Sequence, residues 1–568
     1  MAAPGRDDEL VLLPLGGAGE IGMNFNAYGY GPADAREWIV VDCGVLFGRE
    51  GLTPGIDLIM PDIRYLAEQR ENVRAIVLTH AHEDHIGAVA HLWPQLRCPV
   101  YATPFTARLL EDKLTEAGLS EKVRVKIVQL GGKLKLGPFA IEFVSITHSI
   151  LEPNALAIRT PLGVVVHTGD WKIDPDPLLG EVTDIGALTK LGDEGALALV
   201  CDSTNALVSG SSGSEADVRK SLTELIGTLK GRVAVTSFAS NVARLDTIAR
   251  AARTHGREVA LVGRAMHRIT NAARETGYLK GFPTLLDEAE AAQLPPNRVL
   301  YLCTGSQGET RAALARVASG DHPNVKLGPG DAVIFSSRII PGNELSIFEL
   351  QNKLAGLGVE VLTEQDHFVH VSGHPARDEL AQMYRWIRPQ IAVPVHGELR
   401  HMTAHARLAL SLQVPQAVVV QNGQMLRLAP GRAEIVDEVP SGRLYMDGRV
   451  LVEEGQGHAR GRRALAFAGL IAITVALDGK GRVAGEPSVL LEGIPDQVHA
   501  PVREAVEGAL RHHRSKRGDD EALREKVRRA ARRAASDAWG LCGFETPVTC
   551  DTYFPSPPLG QRQKWRSA

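Results

Sequence analysis

Three histidines and two carboxylates stand within six residues at His80-Ala81-His82-Glu83-Asp84-His85, one residue after the apolar pair Val77-Leu78. Imidazole and carboxylate at this density suit a pair of divalent ions and little else. His80 and His82 are spaced i, i+2, so on an extended segment both point to one side, toward one ion. Asp84 and His85 follow where a helix-like segment begins, and can serve a second ion. The chain must therefore present this corner at a strand end and bring further ligands and an anionic bridge to it from elsewhere.

Other ligand-type residues also stand just after strand-like runs. They are Asp42, His148, Asp170, Asp202 and His396. Strand ends are rigid platforms, so these residues can converge on one sheet edge. His148 is a candidate third ligand for the first ion, Asp170 the bridging carboxylate, and His396 the residue completing the second ion. Asp42 is better placed to orient a ligand imidazole. Taken singly, His148, His167 or His396 would read as a hydrogen-bonded histidine, and each aspartate as a turn residue. The cluster at 80–85 changes that weighing. The residues imply a dinuclear, zinc-type hydrolytic centre that acidifies water for attack on a carbonyl or phosphoryl group.

With 568 residues, three or so domains are expected. Net charge is −4, so bulk charge does not mark a nucleic-acid binder, and a polyanion would have to meet a local basic surface. The cysteines (Cys43, Cys98, Cys201, Cys303, Cys542, Cys550) contain no Cys-x-x-Cys pair and read as reduced core thiols. Met1 to Leu10 has no signal-peptide apolar region, and the longest apolar run, Ala464–Leu477, is too short to span a bilayer. A cytoplasmic protein with no membrane partner is expected.

Residues 1–211 carry short apolar strands punctuated by glycine, a mixed α/β layout. Ser209-Gly210-Ser211-Ser212-Gly213 reads as a flexible joint, and Ser214 as a helix N-cap. From 212 to 365 the rhythm becomes regular βαβ, a doubly wound domain. Residues 366–430 resemble the first part again, so the βαβ domain is read as an insertion. Residues 431–460, and the polar stretch from 426 onward, read as a connection. Residues 461–555 form a small C-terminal domain with a strand Leu465–Leu477 and an Arg-rich helix near Ala522–Ala535, followed by a tail, 556–568.

At this point the chain resembles a known family. His80 to His85, His148, Asp170 and His396 are similar, in order and context, to the metallo-β-lactamase superfamily. Cys201-Asp202-Ser203-Thr204-Asn205, His370-Val371-Ser372-Gly373-His374 and His396-Gly397-Glu398 resemble the further motifs of its β-CASP branch. Leu15-Gly16-Gly17-Ala18-Gly19-Glu20-Ile21-Gly22, Cys303 to Glu309 and Val439-Pro440-Ser441-Gly442 resemble the ribonuclease J family.

The resemblance implies a metallo-β-lactamase αββα sandwich with an inserted doubly wound β-CASP domain and a small C-terminal α/β domain. It implies two zinc ions, with manganese as the alternative, held by His80, His82, Asp84, His85, His148, Asp170 and His396. It implies 5′-to-3′ exonucleolytic and also endonucleolytic hydrolysis of RNA in rRNA and mRNA maturation and decay, by a metal-activated hydroxide. Asp84 helps to hold and deprotonate that hydroxide, His374 contacts the scissile phosphate, and Asp202 orients a neighbouring imidazole. The expected partner is single-stranded RNA with a 5′-monophosphate end, bound by His370, Val371, Ser372, Gly373 and His374 together with Phe238, Ser240 and Asn241. A cleft between two bodies suits so long a substrate. A calcium site at Gly55 (through its carbonyl), Asp57 and Asp447 is implied too, as are a homodimer and participation in an RNA-degradation complex. Arg528, Arg529, Arg532 and Arg533 form a basic helical face, read either as RNA or dimer contact or as a solvated face paired with Glu521 and Glu525. Two other readings stand beside the lead: a β-CASP DNA nuclease, and a catalytically silent RNA-binding subunit.

Overall fold

Ile39 and Val41 point to one side of their strand and Trp38 to the other, the period-2 pattern of an extended chain. Ile39 and Val41 enter a cluster with Leu10, Tyr28, Val77, Phe139, Phe143, Val165, Val200 and Val393. Trp38 packs edge-on against Tyr65, ring centroids 6.1 Å apart. Both faces of the strand are thus covered. Burying each such aliphatic side chain contributes about 1.5–3 kcal/mol.

The computed structural model describes residues 4–49, 52–455, 458–478, 482–511, 520–540 and 549–553. The chain packs as two compact units, 1–46 with 59–444 and 47–58 with 445–568. The boundary after 444 falls inside the stretch read as a linker. Residues 47–58, read as part of the first domain, belong to the second unit.

In the first unit, two sheets face each other across that cluster. One has eight strands, in the order Glu434–Glu438, Gln424–Ala429, Glu9–Gly16, Phe25–Gly31, Glu37–Val41, Val73–Val77, Val100–Ala102 and Val125–Ile127. The other has seven: Lys133–Leu136, Phe139–Ser145, Asn154–Thr160, Gly163–His167, Ala196–Asp202, Ile391–Val395 and Gln416–Ala417. Helices Ile185–Glu194, Arg377–Ile387 and Leu399–Ser411 cover the outer face of the second sheet through Leu188, Leu191, Leu380, Met383, Ile387 and Ala409. This is the αββα sandwich. Two strands lie in the stretch read as a polar connection. Gln424–Ala429 pairs antiparallel with Glu9–Gly16 and buries Met425, Leu426 and Leu428, while Glu434–Glu438 pairs beyond it as an exposed edge. The exposed edge strand is what made the stretch read as polar.

Between the strands Ala196–Asp202 and Ile391–Val395 the chain makes its excursion. The two then pair in parallel, Ala198 opposite Ile391 and Asp202 opposite Val395, so the excursion returns to the sheet it left. The inserted body is a six-stranded, wholly parallel sheet, in the order Leu285–Leu286, Glu258–Val262, Val299–Cys303, Val233–Thr236, Ala332–Phe335 and Glu360–Leu362. Alternating helices make it the doubly wound domain.

The joint at 209–213 is fastened, contrary to its glycine-serine composition. Glu379, buried, accepts hydrogen bonds from Ser212 N (2.9 Å) and Ser212 Oγ (2.6 Å). Lys172 Nζ donates to Gly213 O at 3.0 Å and pairs with Asp174 at 2.8 Å. Asp174 in turn accepts from the Ser214 hydroxyl and from Glu215 N. Small residues here let the backbone approach these buried charges.

In the second unit, strands Ser488–Glu492, Leu470–Ala476 and Thr549–Tyr553 form one sheet. Helices Asp496–Leu510 and Asp520–Trp539 pack against it through Val498, Val502, Val506, Leu523, Val527 and Ala531. The strand expected over Leu465–Leu477 starts only at Leu470. A helix, His458–Ala468, precedes it, and Gly469 at φ 69° supplies the left-handed stop between them. On the last helix Arg528 and Arg529 pair with Glu525. The tail at 556–568 lies outside the described residues, as do the side chains of Cys542 and Cys550. Among the described residues no helix is long and apolar enough to cross a membrane.

Candidate metal centre

The strand Val73–Val77 leads through residues 78–82 into the short helix Glu83–Ile86. The turn is fixed by backbone hydrogen bonds: Cys43 N donates to His85 O (2.7 Å), Val45 N to Glu83 O (3.1 Å) and Asn24 N to Asp84 O (2.9 Å). Gly44 permits this approach, since a Cβ there would fall 1.6 Å from Asp84 O.

Among the described residues three groups of donors could hold an ion, one of them Asp170, Asp202, His374 and His396, and the other two contain the expected ligands. His80, His82, His148 and Asp170 form one, and Asp84, His85, Asp170 and His396 the other, the donor atoms of each lying within 4.8 Å of one another. Asp170 belongs to both. Its Oδ2 lies 3.8 Å from His80 Nε2, 3.2 Å from His85 Nε2, 3.7 Å from His148 Nε2 and 3.5 Å from His396 Nε2. Its Oδ1 is buried and has no hydrogen-bond partner. A buried carboxylate with one oxygen among four imidazole nitrogens and the other unpartnered suits a cation. Burial alone would raise the Asp170 pKa, but His396, His85 and His374 outweigh it and hold the carboxyl well below the usual range. Burial drives His80 and His148 well below the ordinary histidine value, so both rings are neutral ligands at pH 7. The expected ligand residues are therefore brought together, all of them, from strand ends that lie hundreds of residues apart.

Each imidazole is also held from behind. His80 Nδ1 lies 2.9 Å from Thr79 Oγ1, whose hydroxyl is 2.9 Å from Asp42 Oδ2. His85 Nδ1 donates to Asp42 Oδ2 at 2.7 Å, as expected for Asp42. His148 Nδ1 donates to the Gly373 carbonyl at 2.5 Å, and His396 Nδ1 to Asn24 Oδ1 at 2.9 Å. For His82 the far nitrogen is Nε2, 3.1 Å from Ser240 Oγ, and Nδ1 faces the centre. These contacts select tautomers that leave one bare nitrogen per ring for metal. Asp42 (φ 64°) and His396 (φ 50°) adopt left-handed backbone conformations that cost a non-glycine residue about 1–3 kcal/mol each. Thr79, Asn24, Ser240 as an orienting group and the Gly373 carbonyl escaped sequence reasoning. Only Asn24 carried any signal, through the glycine-rich run before it.

His374 stands over the centre, its Nδ1 2.8 Å from Asp202 Oδ2 and 3.9 Å from Asp170 Oδ2. Burial opposes its charge, but Asp202, Asp170 and Asp84 push its pKa up to about 9.

The residues expected to meet substrate divide. Ser372 Oγ accepts from Asn205 Nδ2 (2.8 Å), and Val371 is buried. The buried His370 Nδ1 and Ser237 Oγ have no partner. His370 is pushed down to about 3, by burial first and the nearby Arg244 second. Phe238 is half-buried. Asn241 caps the helix Val242–Thr254, its Oδ1 accepting from Arg244 N (2.9 Å) and its Nδ2 donating to Glu215 (3.0 Å), so its amide is already engaged. Beside His82 a cavity is walled by Ile86, Leu109 and Ile269, with Ser240, Lys113 and Arg268 on its lining.

Gly55, Asp57 and Asp447 all lie in the second unit. The guanidinium of Arg462 is 2.8 Å from Asp447 Oδ2 and 3.5 Å from Pro54 O. A cationic group thus already holds the carboxylate expected to bind calcium.

Comparison with known proteins adds independent findings. Residues 26–200 match the metallo-beta-lactamase superfamily, 230–354 the beta-CASP domain of ribonuclease J, and 358–415 the Zn-dependent metallo-hydrolase RNA specificity domain. The chain is 49% identical to a ribonuclease J of Sinorhizobium meliloti over 94% of this chain and 96% of that one. It is 36% identical to a ribonuclease J of Thermus thermophilus over 96% of each. A crystal structure of a protein of unknown function from Enterococcus faecalis shares the fold, with a TM-score of 0.50 and 15% identity over 74% of this chain and all of that one.

Proposed function

The chain belongs to the ribonuclease J family, and on that premise we propose that it is a dinuclear ribonuclease that degrades single-stranded RNA from a 5′-monophosphate end and also cuts internally. The observation that carries this reading is the position of Asp170 Oδ2, within 3.9 Å of ring nitrogens from both donor sets and of His374 Nδ1.

Two divalent ions, zinc or manganese, would be held by His80, His82, His148 and by Asp84, His85, His396, with Asp170 shared; bound there, they supply acidified water and neutralise charge on the phosphoryl oxygens. The protein's own residues do the rest. Asp84, its side chain 28% exposed, takes a proton from the attacking water. His374, charged and steered by Asp202 at Nδ1, presents Nε2 to the scissile phosphate and delivers a proton to the leaving 3′-oxygen. Water adds to phosphorus, the P–O3′ bond breaks, and a 5′-nucleotide and a shortened RNA separate.

The terminal phosphate is assigned to the turn Ser237–Asn241 and the segment His370–His374. Support comes from the partnerless Ser237 Oγ and His370 Nδ1 and from backbone N–H groups at a helix start. Phe238 stacks on a base. We further assign a cytoplasmic role in rRNA and mRNA maturation and decay, as a homodimer able to join an RNA-degradation complex. We assign a calcium ion to Gly55, Asp57 and Asp447, in competition with Arg462.

The test is degradation of matched RNAs bearing 5′-triphosphate, 5′-monophosphate or 5′-hydroxyl, beside the 5′-monophosphorylated DNA. Fastest loss of monophosphorylated RNA with mononucleotide products is expected. Faster loss of DNA assigns the protein to the DNA-cleaving reading. No turnover with any strand, and none lost on Asp84→Ala, assigns it to the silent RNA-binding reading.

A further inference from the structure

We propose that Asn24 is the positioning residue of the second metal ion, and that the first ion is independent of it. The inference rests on the dinuclear reading above.

The four donors of the second set come from three distant places. Asp84 and His85 lie in the short helix after the strand Val73–Val77, Asp170 follows a strand of the other sheet, and His396 follows the strand by which the chain returns from its insertion. No helix or shared strand fixes His396 to Asp84 and His85. Asn24, 3% exposed, spans that gap with one side chain. Its Oδ1 accepts from His396 Nδ1 at 2.9 Å. Its Nδ2 donates to Asp84 O at 3.1 Å, and lies 3.4 Å from Asp84 Oδ2 and 3.0 Å from His85 Nε2. One amide therefore touches Asp84, His85 and His396, and no member of the His80, His82, His148 set.

The amide itself is built in. Asn24 N donates to Asp84 O at 2.9 Å, and Asn24 O accepts from Gly44 N at 2.9 Å. Gly22 (φ 110°) and Met23 (φ 55°) bend the chain in left-handed conformations to deliver it. The same glycine-rich run holds the backbone of His396: Gly17 O accepts from His396 N at 2.6 Å, and Ala18–Gly19 pairs with Gly397–Glu398. Without Asn24 Oδ1 the His396 ring would be free to rotate about its χ2 or to take the other tautomer, either of which turns Nε2 from the ion. An amide is the group that meets both demands, since its oxygen takes the imidazole N–H while its nitrogen gives to the Asp84 carbonyl.

Metal content and affinity test this, read by elemental analysis and by chelator competition during titration of stripped protein with zinc or manganese. Asn24→Ala should keep the first equivalent at parental affinity and hold the second roughly ten- to a hundredfold more weakly. Asn24→Asp, which keeps an oxygen for His396, should recover part of that loss. Melting of the stripped proteins checks that each variant folds. Two equivalents bound as tightly as in the parent, or equal weakening of both, overturns the role of Asn24. If Asn24→Asp is as weak as Asn24→Ala, the orientation of His396 is not what Asn24 supplies, and the proposal falls. A parent that binds one equivalent overturns the dinuclear reading itself, a result distinct from either.

Discussion

Ser240 Oγ lies 3.1 Å from His82 Nε2, although 158 residues separate them. The inserted domain thus reaches into the first ligand set and holds one of its imidazoles. Ser240→Ala should weaken the ion of His80, His82 and His148 by roughly tenfold, the lower end of what loss of such a contact costs. Chelator competition measures it. Unchanged metal affinity with a lost preference for 5′-monophosphate ends would place Ser240 at the substrate instead.

Arg244 and Glu215 form a buried ion pair at 2.8 Å, with side chains 1% and 4% exposed. Arg244 Nη1 also donates to Val369 O at 3.0 Å, one residue before His370. Arg244→Met strands a buried carboxylate and should lower stability by about 3–5 kcal/mol, with activity falling even where the variant is folded. Replacing Glu215 by Met as well should restore much of the stability and none of the activity. Urea unfolding and turnover at saturating RNA separate the two effects.

His405 is buried between Ser203 Oγ and Tyr384 OH, each 2.9 Å from a ring nitrogen. Burial lowers its pKa to about 4. The unfolded chain, titrating near 6.5, binds the proton more readily, so the stability held by neutral His405 is full above pH 6.5 and lost as pH falls toward 4. The loss amounts to roughly 3 kcal/mol. His405→Gln should flatten this part of the stability–pH curve. Unfolding of metal-stripped protein between pH 7 and 4.5 reports the difference, and identical slopes for parent and variant refute it.

Calcium must displace Arg462 to reach Asp447. Calcium should therefore raise the melting temperature of Arg462→Ala more than that of the parent. Calorimetry with and without calcium checks this, and equal shifts count against a calcium ion at Asp447.

The residues that the fold gathers into the two donor sets were legible because metal chemistry leaves few residue types to choose from and because strand ends announce themselves by apolar runs. The mixed α/β layout and the inserted βαβ domain were legible for the second reason, whereas the αββα sandwich came from the family resemblance. What escaped lies in contacts with no sequence period. Asn24 and Ser240 act through single hydrogen bonds to histidines far along the chain, and an amide or hydroxyl has many ordinary uses. The joint at 209–213 reads as loose from its own residues, since the groups that fasten it, Lys172, Asp174 and Glu379, lie up to 167 residues away. Asn241 looked like a phosphate ligand, yet its amide is engaged by a helix end and Glu215, a choice only the fold makes visible.

His80, His82, Asp84, His85, His148 and Asp170 precede the inserted domain, and His396 follows it. During synthesis the second ion has no complete cradle until the ribosome has passed residue 396 and the insert has closed back on the sheet. A nascent chain, or one released early from a broken message, holds the whole of the first donor set and lacks one member of the second.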